Sequence, residues 1–313
     1  MNKKRTLIIV LVFCLSILAI LGFCNNFGKE SINHEYPMEG YGLQLYKSNG
    51  GQNTDKIINK NEKDEFDYIV KFVNNTDYDN TFLLSIYLNY QQVEFNMGNQ
   101  NNLINYRFSL KRREEKDIPV HFLLKDAFYK TNDIIISVMT GMDKYTSDLK
   151  KTSNLYGISS RFSFINPNYT KDLPQTVIWE NTKLFLSKEH FEGIIVTNDF
   201  NIKDKIMLPP LSKIAKPGEQ MKFAVRAGGV NDVNNYMGWL TLNGKQIEFN
   251  KGNKYWYFSS SEGKLAYDEI FFNAPDTPGK YEICAYLSLN PFSDKALDIK
   301  EIYSSYRFTL IVE

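Results

Sequence analysis

Apolar and polar residues alternate with a period of two through most of this chain, the mark of strands that bury one face. In 65–73, Phe66, Tyr68, Val70 and Phe72 fall on one side. The polar stretch Asn74-Asn75-Thr76-Asp77-Tyr78-Asp79-Asn80 that follows is dense in turn formers. Further strands are predicted at 104–110 and 118–124, separated by a charged turn at 111–116. A central strand is predicted at 133–139, where Ile134, Ile135, Ile136 and Val138 crowd together, and 157–165 closes the series. Short strands at this spacing predict an antiparallel β-sandwich. No helical pattern extends beyond about one turn, near Leu123 to Tyr129.

One stretch occurs twice. Residues 88–99 read LNYQQVEFNMGN and residues 242–253 read LNGKQIEFNKGN, with eight of twelve positions identical. In the second copy Asn243-Gly244 separates two alternating runs, which predicts a type I′ hairpin. That register sets Leu242 opposite Lys245, Leu240 opposite Ile247 and Gly238 opposite Phe249. Leu240, Leu242, Ile247 and Phe249 then share the inner face, and Trp239, Thr241, Gln246 and Glu248 the outer one. The same register gives the first copy an inner face of Leu84, Ile86, Leu88, Val93 and Phe95, and an outer face of Ser85, Tyr87, Gln92 and Glu94. Tyr90 replaces Gly244 there, so a looser turn or one of another type is expected.

The resemblance extends over whole domains, at an offset of roughly 150 residues. The strand at 220–226 matches the one near residue 70, and the loop from Gly228 to Asn235 stands where the Asx-rich turn stood. Ser305-Tyr306-Arg307-Phe308 matches Ser159-Ser160-Arg161-Phe162 at the end of the first unit. Polar, proline-bearing 166–175 is the linker. The expected layout is a membrane or signal segment over 1–28, a spacer over 29–38, one sandwich over 39–165 and a second over 176–313.

The N-terminus sets the address. Lys3, Lys4 and Arg5 precede a 19-residue apolar run, Thr6 to Cys24. As a helix it spans about 28 Å, close to a hydrocarbon core. The flanking positive charge directs the rest of the chain outward. Three readings fit: an uncleaved signal anchor, a secretory signal cleaved near Gly22 or Cys24, or a lipoprotein signal with Cys24 lipidated. Phe23 departs from the last pattern, which takes a small residue there. All three export 30–313, either held at the cell membrane through residues 6–24 or released if the signal is cut.

Composition narrows the chemistry. Aromatics at 14% fit a folded chain, and beyond the N-terminal cluster 34 basic residues face 36 acidic ones, which argues against a nucleic-acid partner. Only Cys284 lies in the exported part, on an alternating strand where a small buried side chain is expected, so no disulfide can form within it. His34, His121 and His190 are isolated, and neither a phosphate-cradling loop nor a dinucleotide fingerprint occurs. No catalytic residue and no cofactor are assigned. Asp77 and Asp79, with Asp232 in the equivalent loop, are calcium candidates because such loops offer oxygen ligands, although Asx residues also simply form turns.

Pro217-Gly218 followed by Phe223, and Pro278-Gly279-Lys280-Tyr281-Glu282-Ile283 followed by Ala285, form a strand-and-turn pattern in the second unit. It resembles bacterial extracellular immunoglobulin-like modules of the fibronectin-III or cell-adhesion-related kind. The resemblance implies a fold and a surface location, with no catalytic residues to carry over. The fold class expected is all-β, two tandem immunoglobulin-like antiparallel β-sandwiches after an N-terminal membrane segment. The aromatic row Tyr255, Trp256, Tyr257 and Phe258 is the candidate binding face, with one alternate pair in the core and the other displayed. The function expected is a tethered, non-enzymatic binding or spacer protein that meets a protein or glycan. An accessory ectodomain of an export or envelope-assembly complex and an enzyme with an unrecognised site are the alternatives.

Overall fold

A computed structural model describes residues 39–53, 56–58, 64–124, 129–148, 157–166, 182–186, 191–200, 210–230, 233, 235–250, 252–260, 263–293 and 302–313. The expected membrane segment 6–24 with Cys24, the expected spacer 29–38, most of the expected linker and Asp232 lie outside the described residues. Met1–Glu39 and Gly40–Glu313 are separate units, and every described strand belongs to the second.

Among the described residues every regular element is a strand. The first half contains β1 (Gly40–Lys47), β2 (Ile57–Ile58), β3 (Glu65–Asn75), β4 (Asn80–Leu88), β5 (Gln91–Gln92), β6 (Phe95–Met97), β7 (Gln100–Leu103), β8 (Asn105–Leu110), β9 (Glu114–Leu123), β10 (Thr131–Thr140) and β11 (Ile158–Ile165). The second contains β12 (Lys183–Leu186), β13 (Gly193–Thr197), β14 (Ser212–Ala215), β15 (Gln220–Gly228), β16 (Asn235–Leu242), β17 (Lys245–Gln246), β18 (Tyr255–Ser259), β19 (Lys264–Asn273), β20 (Gly279–Leu289), β21 (Ile302–Ser304) and β22 (Phe308–Val312).

Among the described strands each half builds two sheets, and no sheet mixes the halves. In the first, β1-β3-β9-β6-β7 faces β2-β11-β10-β4-β5, with β8 also on β4. In the second, β12-β19-β15-β13 faces β14-β22-β20-β16-β17, with β18 on β16 and β21 on β20. Pairing is antiparallel except at β2 with β11 and β14 with β22, two parallel edges in equivalent places. Phe66, Val70, Phe72, Ile118 and Val120 from one sheet pack on Leu84, Ile86, Ile134, Ile136 and Val138 from the other. Phe223, Val225 and Ile270 meet Leu240, Ile283, Leu287 and Phe308 in the second core. Each such side chain contributes about 1.5–3 kcal/mol through burial. Both halves are β-sandwiches with their own cores.

The hairpin is built as the alternation predicts. Asn243 and Gly244 have φ of 50° and 76°, the positive pair of a type I′ turn. Asn89 and Tyr90 have φ of 49° and 68°, so the first copy makes the same turn despite its tyrosine. The looser turn expected there does not occur; complete burial of the Tyr90 side chain offsets the strain of this backbone region.

The predicted register holds only beside the turn. Thr241 pairs with Gln246 and Leu242 with Lys245, and the Ile247 amide still reaches the Leu240 carbonyl at 3.1 Å. Beyond that the returning arm crosses toward the opposite sheet. Asn250 bonds to Phe271 on β19, and in the first sandwich Asn96 pairs with His121 on β9. Gly238 therefore pairs with Trp256 rather than Phe249. A Cβ on Gly238 would lie 2.4 Å from the Trp256 ring, so only glycine admits this approach. The charged turn predicted at 111–116 is shorter, because Glu114 to Lys116 already belong to β9.

Candidate functional site

The aromatic row lies on β18, but inside the protein. Trp256 and Phe258 are 3% and 1% exposed in the second core. Trp256 meets Phe249 edge-on at 5.4 Å, and Phe258 stacks on Tyr236 at 4.9 Å. Tyr255 and Tyr257 are half-buried against a third apolar cluster between the two sandwiches. Alternation left open which pair is buried: Trp256 and Phe258 are in the core, and Tyr255 and Tyr257 pack against the other sandwich rather than forming an open platform. The row also has a counterpart. Ser85 pairs with Asn105 as its repeat equivalent Trp239 pairs with Tyr255, so Asn105-Tyr106-Arg107-Phe108 corresponds to 255–258. The extra strand β7 shifts the alignment and hides this in the sequence.

The two described calcium candidates are engaged in the first sandwich. Asp77 Oδ1 accepts from Arg113 Nε and Nη2 at 3.2 and 2.8 Å, and Asp79 Oδ1 accepts from the Arg112 amide at 2.9 Å. These carboxylates clasp the turn before β9. Among the described residues no group of three or more His, Cys, Asp or Glu is placed to hold a metal ion.

What the structure brings together is the outer face of the repeated hairpin, from both copies. Every described position of β4 from Phe82 to Leu88 is buried, so the strand is covered on both faces. Leu83, Tyr87, Tyr90, Ile135 and Met139 from the first sandwich pack on Met237, Trp239, Cys284, Tyr286 and Phe292 from the second. Tyr87 and Tyr90 lie 5.3 and 5.7 Å from Trp239, which stacks on Tyr286 at 5.1 Å. The outer face is thus not the solvated polar surface that the alternation predicted. Leu83, Tyr87, Met237 and Trp239 carry apolar bulk on that side, and the near-continuous apolar run of a doubly covered strand is the signal for it.

The polar contacts in this seam obey a pseudo-two-fold symmetry, each residue reaching the repeat equivalent of its own neighbour. Gln92 and Gln246 are equivalents that bond to each other reciprocally. The Gln92 amide donates to Gln246 Oε1 at 2.8 Å, and the Gln246 amide to Gln92 Oε1 at 2.7 Å. Their side-chain Nε2 groups donate to the Gly244 and Tyr90 carbonyls, both at 2.8 Å. Those two carbonyls are themselves equivalent.

Two buried ion pairs follow the same symmetry. Leu88 pairs with Ile134 and Leu242 with Ile283, so Asp133 and Glu282 are equivalent. Ile134 pairs with Phe162 and Ile283 with Phe308, which makes Arg161 equivalent to Arg307. Arg161 Nε lies 3.9 Å from Asp133 Oδ1, and Arg307 Nε lies 3.4 Å from Glu282 Oε2. Each guanidinium crosses the seam to strand-end carbonyls of the other sandwich. Arg161 donates to Leu289 and Asn290, and Arg307 to Thr140 and Gly141. Each acid receives an amide from the opposite sandwich, Phe292 on Asp133 at 2.6 Å and Thr146 on Glu282 at 3.4 Å. On the near side, the Asn89 and Asn243 side-chain oxygens accept from the amides of Asp133 and Glu282.

One element breaks the symmetry. The Tyr90 hydroxyl donates to Asp133 and contacts Ser288 Oγ at 3.1 Å. Gly244 has no side chain to do so. On the second acid the hydroxyls of Thr146 and Thr309 serve instead. Burial pushes the Tyr90 phenol well above its ordinary range, so it stays a donor. Burial likewise pushes the Cys284 thiol up to about 11, which makes it a packing residue at neutral pH rather than a nucleophile. The buried polar groups of the seam thus bond to one another and join the two sandwiches.

The sequence contained Arg161 and Arg307 in its matched closing strands without revealing their role. A long cation kept in both copies of a strand flanked by apolar residues is the signal that points to a buried partner. Large apolar residues exposed among the described positions fall mainly in the second sandwich, where Leu184, Leu186, Leu211, Ile214 and Tyr306 are 46–70% exposed.

Set against known proteins, the chain matches no family model and no curated protein sequence. Solved structures give distant matches. The C-terminal domain of the Streptococcus agalactiae AgI/II polypeptide BspA is 9% identical, with 87% of this chain and 100% of that one covered and a TM-score of 0.23. The Salmonella enterica SafA pilin in complex with the SafB chaperone gives 11% identity, coverage of 86% and 96%, and a TM-score of 0.25. Red sea bream transglutaminase gives 8% identity and a TM-score of 0.24; 87% of this chain matches 31% of that one. Likeness at this level carries no inference about fold or activity.

Proposed function

We propose that the chain is an exported, non-enzymatic protein, held at the cell membrane by residues 6–24, that presents two β-sandwiches as one rigid body to a protein or glycan partner. The export rests on the basic flank and apolar run of the N-terminus. The observation that supports the non-enzymatic, two-sandwich part of this reading is the seam. Its buried acids, arginines, tyrosines and thiol are committed to joining the sandwiches, and no cleft is needed to explain them. A fixed pair of sandwiches suits presentation, since a partner meets loops and sheet edges in constant geometry and little ordering entropy opposes binding. The exposed edge at β14, with Leu211 and Ile214 at 50% and 60% exposure, is the first place to look for contact.

The test uses intact cells producing the full chain with a C-terminal tag. Added protease should remove the tag without lysis, and the uncut protein should stay with membranes through a high-salt wash. A tag protected until lysis would overturn the export. Cross-linking on the same cells, compared between the parent and the Leu211→Ser/Ile214→Ser variant, asks for the partner. Loss of one adduct in the variant supports binding at this edge. The same membrane protein recovered from both at fixed stoichiometry would instead favour an accessory ectodomain.

A further inference from the structure

The seam is symmetric in its glutamine, arginine and acid-to-amide contacts and asymmetric in side-chain volume. At equivalent cross-strand positions the second sandwich carries Trp239 beside Tyr286, and the first carries Ser85 beside Ser137. The aromatic pair stacks at 5.1 Å and 10° into a ridge. The serine pair leaves a groove. Ridge and groove meet across the seam, for Ser137 Oγ lies 3.4 Å from the Tyr286 hydroxyl, its own equivalent. A second lock runs the other way. Gly244 accommodates Leu83 so closely that a Cβ would stand 2.2 Å from Leu83 Cδ2, whereas the first sandwich has Tyr90 in the place of Gly244.

We infer that the two seam faces are specificity surfaces, each built to accept the other sandwich and to reject a second copy of itself. The polar frame alone cannot choose, because reciprocal glutamines and equivalent arginines fit any two such faces. Volume makes the choice. Two second sandwiches would set Tyr286 against Tyr286, ridge on ridge. Two first sandwiches would set Tyr90 where only glycine fits beside Leu83, and leave groove on groove between the serines. Specificity here comes from the penalty on wrong pairs as much as from the fit of the right one. The partner of each face is the opposite face of the repeat, and unpaired homotypic assembly is excluded.

Cys284 reports on the seam. It is buried in the shared cluster and is the one thiol of the compact unit Gly40–Glu313, since Cys14 and Cys24 precede it. In residues 40–313, Ser85→Trp/Ser137→Tyr sets ridge on ridge, and Trp239→Ser/Tyr286→Ser sets groove on groove. Each should raise the rate of Cys284 alkylation by at least about tenfold, corresponding to a loss of ~1.4 kcal/mol in seam opening. Combining all four substitutions moves the ridge to the other sandwich. Because the polar frame is two-fold, the combination should return alkylation toward the parent rate, below both double variants. Labelling of the combined variant as fast as that of the ridge-on-ridge variant would overturn the inference. So would parental labelling in both double variants. If the added bulk unfolds the first sandwich, as loss of its β-sheet circular dichroism would show, the combined variant decides: recovery of that signal supports the inference and failure overturns it.

Discussion

The two sandwiches present equivalent faces to one another, and the faces differ in an instructive way. Apart from the Tyr90 hydroxyl, their main directional contacts are the same: glutamine to glutamine, arginine to strand-end carbonyls, acid to the opposite amide. Their bulk is not, with Trp239 and Tyr286 on one side against Ser85 and Ser137 on the other. Hydrogen bonds to backbone groups fix where the faces sit, and they tolerate little change because an unmet buried partner costs its full desolvation. Packing volume only has to sum correctly across the seam, so one side can give up what the other takes. Orientation is therefore shared between the copies, while fit is divided between them.

The largest effect should come from breaking the buried ion pairs. Arg161→Leu and Arg307→Leu each leave a buried acid without its cation, and each should cost about 3–5 kcal/mol. Chemical denaturation of residues 40–313 would measure both. The symmetry argument requires the two losses to be similar, so a large loss in one and none in the other would break it. Trp256→Ala separates core from seam. It should remove about 3–5 kcal/mol from the second sandwich, seen as an early unfolding step, while the first sandwich keeps its own transition.

Smaller effects sharpen the comparison. Tyr90→Phe deletes a donor to Asp133 that the Gly244 side lacks, and should cost about 1–3 kcal/mol by melting. No loss at all would mean that this asymmetric bond is ornamental. Gln92→Ala and Gln246→Ala should each cost on the order of 1 kcal/mol, and a double-mutant cycle should return a coupling of about 0.5–3 kcal/mol, since the two glutamines bond directly. Additive losses would contradict the reciprocal pairing. At the small end, Asp77→Ala should change stability by no more than about 1 kcal/mol, as its partner Arg113 is a surface cation.

Much of the fold was legible. The alternating runs became β3, β10 and β11, and the inner residues Leu84, Ile86, Leu88 and Leu240 lie in the two cores. The Asn-Gly turn formed as its φ requirement dictates. The candidate sites were harder to place, for particular reasons. Whether Trp256 or its neighbours are displayed stays open in the sequence because aromatic rings serve both cores and binding faces, and the space above Gly238 decided the matter. Asp77 reads as a calcium ligand until Arg113 is seen beside it, thirty-six positions away in sequence. Alternation puts Gln92 and Gln246 on the outer face, where they lie, but an outer face has no visible partner in a single strand's pattern.

The sequence by itself determined the strands, the duplication, the turn chemistry and the inner face of each sandwich. All of these follow from interactions over a few residues, where alternation and backbone preference are decisive. Only the tertiary structure decided that the outer faces of the repeat meet. That contact joins residues about 150 positions apart, such as Gln92 with Gln246, and depends on volumes and donors summed over two surfaces. Local pattern is the same whether such a face meets water or its own counterpart.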